Sequence, residues 1–114
     1  MSKKMFGEIM RQAQKIQEEI QKKQEEIKRM TVEATAGGGM VTAQANGAGE
    51  IISIKIDKEV VNPDDVEMLE DLVLAAVNEA LKRAHELAQA EMAKVSMPFN
   101  LPGMPDLTSL FGKL

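Results

Sequence analysis

Apolar positions along this chain change period twice, and each period predicts a different element. Between residues 5 and 30 they fall at Phe6, Ile9, Ala13, Ile16, Ile20, Ile27 and Met30, in alternating steps of three and four. Such steps draw a heptad seam down one side of an α-helix. Phe6, Ala13, Ile20 and Ile27 take one register, and Ile9, Ile16 and Met30 the other. Lys23 stands at the one seam position that lacks an apolar residue. Glu18 with Lys22, Glu19 with Lys23 and Glu25 with Arg29 have the i,i+4 spacing and order that support a helix.

After Met30 the period drops to two. Residues 31–36 and 40–46 alternate, β-branched side chains enter, and Gly37-Gly38-Gly39 between them supplies positive-φ positions for a hairpin. Asn46-Gly47-Ala48-Gly49 is a second turn signal, and residues 51–56 read as a third strand. One face of this meander carries Val32, Ala34, Val41, Ala43, Ala45, Ile52, Ile54 and Ile56, while the other carries mostly Thr, Glu, Gln, Ser and Lys. A sheet of that kind is expected to be covered on one side by helix.

The helical period then returns. Asn62-Pro63-Asp64-Asp65 reads as a helix start, with Asn as cap and Pro at the first helical position. The second helix is expected to run to about residue 95, with Val66, Leu69, Val73, Ala76, Val77, Ala80, Ala84, Leu87 and Ala88 as its buried stripe. At 1.5 Å per residue the two helices would be roughly 39 Å and 48 Å long, against about 20 Å for each strand. Both must overhang the sheet and expose apolar seam, so a homodimer is expected. Residues 96–114 hold Pro98, Pro102, Pro105 and Gly103 among apolar residues, so the chain divides into one domain, residues 1–95, and an apolar Pro/Gly-containing tail.

Composition narrows the chemistry. With 114 residues and no Cys, the chain offers no disulfide scaffold, thiolate metal site or catalytic thiol. The longest apolar run, residues 72–77, is far too short to span a membrane. The first residues reach charges before any apolar core forms, so no secretory signal is expected and the reading is cytoplasmic. His85, the only histidine, has no Ser or Cys nucleophile placed to use it. No ligand spacing supports a metal. Gly37-Gly38-Gly39 precedes a strand and lacks the Lys-Ser or Lys-Thr of a phosphate loop, and Gly47-Ala48-Gly49 has Ile52 where a dinucleotide fingerprint needs glycine. No enzyme, cofactor or small-molecule substrate is expected.

The formal net charge of −4 is unevenly spread. Residues 1–30 carry eight Lys or Arg against five Glu; residues 31–114 carry six against thirteen acids. Arg11, Lys15, Lys22 and Arg29, at intervals of four, seven and seven, line one side of the first helix, and Lys3 and Lys4 extend the charge at its start. Such a stripe would track a phosphate backbone, although Glu8, Glu18 and Glu25 lie on or beside the same side. On pattern alone a solvated, salt-bridged face outweighs a nucleic-acid footprint. Lys82, Arg83 and Lys94 on the second helix are the next cationic candidates. Only three aromatic residues, Phe6, Phe99 and Phe111, are present, which disfavours base stacking on single strands. If nucleic acid is bound, duplex DNA met through its backbone is the better expectation.

Specific residues then carry a resemblance. Met10-Arg11-Gln12-Ala13-Gln14-Lys15, Ala36-Gly37-Gly38-Gly39-Met40-Val41, Asn46-Gly47, Ile54-Lys55-Ile56-Asp57 and Met68-Leu69-Glu70-Asp71-Leu72-Val73, running into Ala76-Val77-Asn78-Glu79-Ala80, make the chain resemble the YbaB/EbfC family of bacterial nucleoid-associated proteins. Leu101-Pro102-Gly103 in the tail adds to the likeness. The resemblance implies an α+β fold, α-β-β-β-α, with a three-stranded antiparallel meander flanked by two long helices. It further implies a tweezer-like homodimer that grips duplex DNA with little sequence preference, in nucleoid organisation and gene regulation. No base-reading residue carries over from it. The rival expectation is a protein-interaction scaffold that docks partners through the helical overhangs and the segment 97–114.

Overall fold

The computed structural model describes residues 2–95; the expected tail, residues 96–114, lies outside the described residues. Helix α1 (Lys3–Arg29) leads into strands β1 (Thr31–Ala36), β2 (Val41–Asn46) and β3 (Ile51–Ile56), and helix α2 (Val66–Met92) follows a short 3-10 turn at Lys58–Val60. The three strands form one antiparallel sheet in the order β1-β2-β3. This is the α-β-β-β-α architecture read from the sequence.

The β1–β2 hairpin closes through Gly37, Gly38 and Gly39, all at positive φ, which an L side chain rarely adopts. At the other end of the sheet, the Asn46 side chain organises the β2–β3 turn. Its Oδ1 accepts from the backbone N–H groups of Ala48 and Glu50, each at 3.0 Å. Asn is suited to that task because its side chain mimics a backbone carbonyl two residues on.

Helix α2 lies across β1 and β2, and the interface is built from small residues. Ala34, Val41, Ala43 and Ala45 from the sheet meet Ala76, Ala80 and Ala84 from α2, all essentially buried, with Val60 of the 3-10 turn closing one end. Alanines let helix and sheet backbones approach closely, but each buries little apolar area. Such a core contributes modest stability per residue.

Two sequence expectations change here. Asn62 does not cap α2: its Oδ1 accepts from the Asp64 N–H at 3.0 Å, and its carbonyl accepts from the Asp65 N–H at 3.0 Å. Asn62 and Pro63 thus make a turn, and Asp65 is the cap, accepting from the Met68 N–H at 3.3 Å. Asn is as good at closing an Asx turn as at capping, and the proline fits either role.

The second change concerns β3. Ile54 and Ile56 pair with Ala43 and Val41, so they share the helix-facing side as expected. They nevertheless remain 43% and 42% exposed, because α2 covers β1 and β2 and barely reaches β3. A register shift between Gln44 and Ala45 pairs Ala45 with Ile51 instead of Ile52. Ile51 therefore packs on the core, while Ile52 stays 49% exposed. One extra residue in a strand inverts every face assignment beyond it.

Candidate nucleic-acid interface

Helix α1 presents the cations, and its placement follows from two contacts near its C-terminal end. Gly47 donates its N–H to the Met30 carbonyl at 3.0 Å, and a Cβ built on Gly47 would run into the Ile27 carbonyl and side chain. Only glycine lets the β2–β3 turn sit this close to the helix. Ile27 is accordingly the one buried residue of α1.

The second contact is an ion pair. Lys23, the polar interruption of the seam, reaches across to Glu91 of α2 at 2.9 Å. Lys94 also reaches Glu91, at 3.0 Å, and Glu26 lies 3.5 Å from Lys23. Hydrogen bonds from Lys23 and then from Lys94 hold the Glu91 carboxyl below the usual carboxylate range. The Glu91 hydrogen bond raises the Lys23 ammonium above its ordinary value. The i,i+4 pairs expected within α1 do not form, and only the i,i+3 pair of Lys23 with Glu26 is found there among the described residues. Lys23 is drawn to α2, and for the solvent-facing side chains the entropy of ordering offsets the small Coulomb gain.

Leu72 of α2 packs against the Gly37 hairpin, Arg83 hydrogen-bonds β1 midway along, and Glu91 meets Lys23. Helix α2 therefore leaves the sheet at the end where α1 joins it, and the two helices run side by side. Ile16 and Ile20 are half-buried, but every described residue of α1 from Ser2 to Lys15 is exposed. Lys3 to Lys15 thus forms a free overhang of about 20 Å.

The six cations singled out from the sequence, Lys3, Lys4, Arg11, Lys15, Lys22 and Arg29, are all exposed. None takes part in an ion pair among the described residues. Helical geometry places Lys4, Arg11, Lys15, Lys22 and Arg29 within an arc of about 40°, nearly opposite the seam, over about 37 Å. Lys3 stands off this row by about a quarter turn. The sequence reading had treated Lys4 as an extension; the helix, continuous from Lys3, makes it part of the row.

Charge is not uniform along the row. Residues 3–15 hold Lys3, Lys4, Arg11 and Lys15 against Glu8 alone. Residues 16–29 hold Lys22, Lys23, Lys28 and Arg29 against Glu18, Glu19, Glu25 and Glu26. All of the helix's net positive charge therefore sits on the overhang. Charge counted over the whole helix conceals this.

The second-choice cations behave differently. Arg83 donates from Nη1 to the Glu33 carbonyl at 2.6 Å and from Nε to Glu79 at 3.3 Å, so it ties α2 to β1. Lys94 is held by Glu91, and Lys82 is exposed without an ion-pair partner among the described residues. His85 is exposed on α2. Among the described residues no group of three or more His, Cys, Asp or Glu side chains comes together, and no helix is long and apolar enough to cross a membrane.

Comparison with known proteins gives a consistent result. A nucleoid-associated protein of Thermodesulfovibrio yellowstonii is 91% identical over 114 residues, covering all of both chains. One of Caldanaerobacter subterraneus subsp. tengcongensis is 59% identical over 96 residues, covering 84% of this chain and 86% of that protein. The crystal structure of an uncharacterized protein from Helicobacter pylori has the same fold, with a TM-score of 0.60 at 24% identity over 74% of this chain and 98% of that one. The family model of the YbaB/EbfC DNA-binding family matches residues 2–99. With helix, meander and helix in that order and a match over almost all described residues, the chain belongs to the YbaB/EbfC DNA-binding family.

Proposed function

We propose that this protein is a homodimeric, nucleoid-associated binder of duplex DNA that holds phosphates through the exposed face of α1 and reads sequence weakly. The observation that carries this reading is the row Lys4, Arg11, Lys15, Lys22 and Arg29, exposed and free of ion pairs among the described residues. Its length of about 37 Å matches roughly one turn of B-DNA. Contacts to phosphates position a protein without reporting the base sequence. The names of the bacterial relatives agree with a place in the nucleoid. Residues 1–95 would suffice for this activity.

Dimerisation is supported by the uncovered side of the sheet. Ile54 and Ile56 lie exposed on the helix-facing side of β3, and Leu74 is 60% exposed on the flank of α2 opposite Arg83. Since Arg83 reaches toward β1, the Leu74 flank overlooks β3. A second copy seated in this apolar notch would remove the exposed patch and complete a core that alanines leave thin.

The test is a gel-shift titration on several unrelated duplexes, with single-stranded DNA and RNA as competitors. Duplex binding should weaken with salt at a shallow log–log slope, about −0.9 per phosphate neutralised, because the glutamates of residues 16–29 compete for the same cations. Arg11→Glu with Lys15→Glu should weaken binding similarly on every duplex while leaving the dimer intact. A double variant that binds like the parent at low salt would make the row a merely solvated face.

A further inference from the structure

The overhang carries more than charge. Met5 and Phe6 are 59% exposed, Met10 52% and Ile9 48%, a cluster of large apolar side chains on a helix end that touches nothing else in the described chain. Elsewhere the seam is used: Ile27 is buried and Ile20 half-buried against the body of the protein. At the tip the same seam is presented to solvent, ringed by Lys3, Lys4 and Arg11, with Glu8 the only acid among residues 3–15.

We propose that the tip of α1 is a hydrophobic wedge for duplex DNA, in which Phe6, flanked by Met5 and Met10, inserts at a base step while Lys3, Lys4 and Arg11 hold the adjoining phosphates. The inference rests on the DNA-binding reading above and adds a mode of contact to it. Charge complementarity selects the occupant: the patch carries four cations to one acid, which suits a polyanion and opposes pairing with a second, equally positive tip. Phe, Met and Ile are the side chain types that unstack base steps, and such insertion kinks the duplex by about 20–90°. A wedge needs its aromatic residue exposed on a rigid support, and Phe6 sits on a continuous helix capped by Ser2, which accepts from the Met5 N–H at 3.3 Å. Two tips in a dimer would place two bends in one duplex. Flexible pyrimidine–purine steps would be favoured, which is a preference for deformability without base-specific hydrogen bonds.

The chain contains no Trp, so Phe6→Trp places a single reporter at the tip of the full-length protein. A duplex of about 30 base pairs with a central TA step, end-labelled for energy transfer, is the probe. With DNA bound, the tryptophan emission should be quenched and shielded from acrylamide, and the ends of the duplex should approach. Phe6→Ala removes no described contact, so it should fold as the parent does. It should keep the parent's salt slope, bind about fivefold or more weakly, and lose the bend. A tryptophan equally accessible with and without DNA, or a Phe6→Ala variant that bends DNA as the parent does, would overturn the wedge.

Shielding without DNA would also overturn it. If that shielding disappeared on removal of residues 97–114, the tail would be the occupant; if it disappeared on dilution, a second copy would be. The two readings separate cleanly in the parent. Salt-dependent binding without shielding or bending removes the wedge and leaves the phosphate contacts. No duplex binding at low salt removes both.

Discussion

The two halves of α1 share one seam and one helix but belong to different physical regimes. Ile27 and Ile9 both occupy seam positions, yet Ile27 is 5% exposed and Ile9 48%. Around Ile27 the helix is gripped by a glycine turn and, one turn away, by the Lys23–Glu91 ion pair. Around Ile9 it has no neighbour outside itself among the described residues. An identical pattern of apolar residues thus serves as core in one half and as an unpaired surface in the other. Amphipathicity states that a face wants burial; it does not state by what.

Matched substitutions should expose this difference most strongly. Ile27→Ala removes a buried side chain and should lower the unfolding free energy in urea by about 2–5 kcal/mol. Ile9→Ala should leave it within about 0.5 kcal/mol, as surface changes usually do. Equal losses would mean that the overhang packs against something in solution, and would abolish the contrast.

Glycines give the next contrast. Gly47→Ala drives a methyl group into the backbone of Ile27, which cannot swing aside, so a loss of about 1–3 kcal/mol is expected. Gly7 has nothing within 4 Å of a built Cβ, and Gly7→Ala should favour the helix by about 0.5–1 kcal/mol. That gain should appear as slower amide exchange near the tip more than as a raised global midpoint, because the overhang opens independently of the core.

The smallest effect should come from pH. The Glu91 carboxyl is held low, so its contribution is present above the unfolded value of about 4.3 and fades as pH falls through the lower folded value. The Lys23 ammonium is held high, so its contribution is present below about 10.4 and fades as pH rises past the higher folded value. Stability measured from acid to alkaline pH should therefore show a plateau between these limits. Glu91→Gln should flatten the acid edge, and high salt should shrink it, since the pair is partly exposed. An unchanged acid edge in Glu91→Gln would show that other carboxylates set it.

Much of the architecture was legible because its signals are local. A heptad period, two glycine-marked turns and alternating β-branched residues each report on a few neighbouring positions, and together they place five elements in order. The row of cations was legible for the same reason, since helical periodicity alone puts Arg11, Lys15, Lys22 and Arg29 on one side. What escaped was non-local. The bulge opposite Ala45, the Asx turn at Asn62 and the engagement of Arg83 with the Glu33 carbonyl depend on partners distant in sequence or on a choice between two equally allowed local geometries.

Local spacing alone therefore settled the element order, the seam and the position of the cations around α1, because short-range sterics and periodicity decide them. Packing settled how those features are used. The missing apolar residue at Lys23 became a bridge only because α2 brings Glu91 within 2.9 Å. Ile54 and Ile56 stayed uncovered because α2 lies over β1 and β2. The division of α1 into an anchored half and a charged apolar overhang arises because α2 ends at Met92 while α1 runs on alone to Lys3. Each of these outcomes depends on where two elements stop relative to one another, a distance in space that no periodicity within either element encodes.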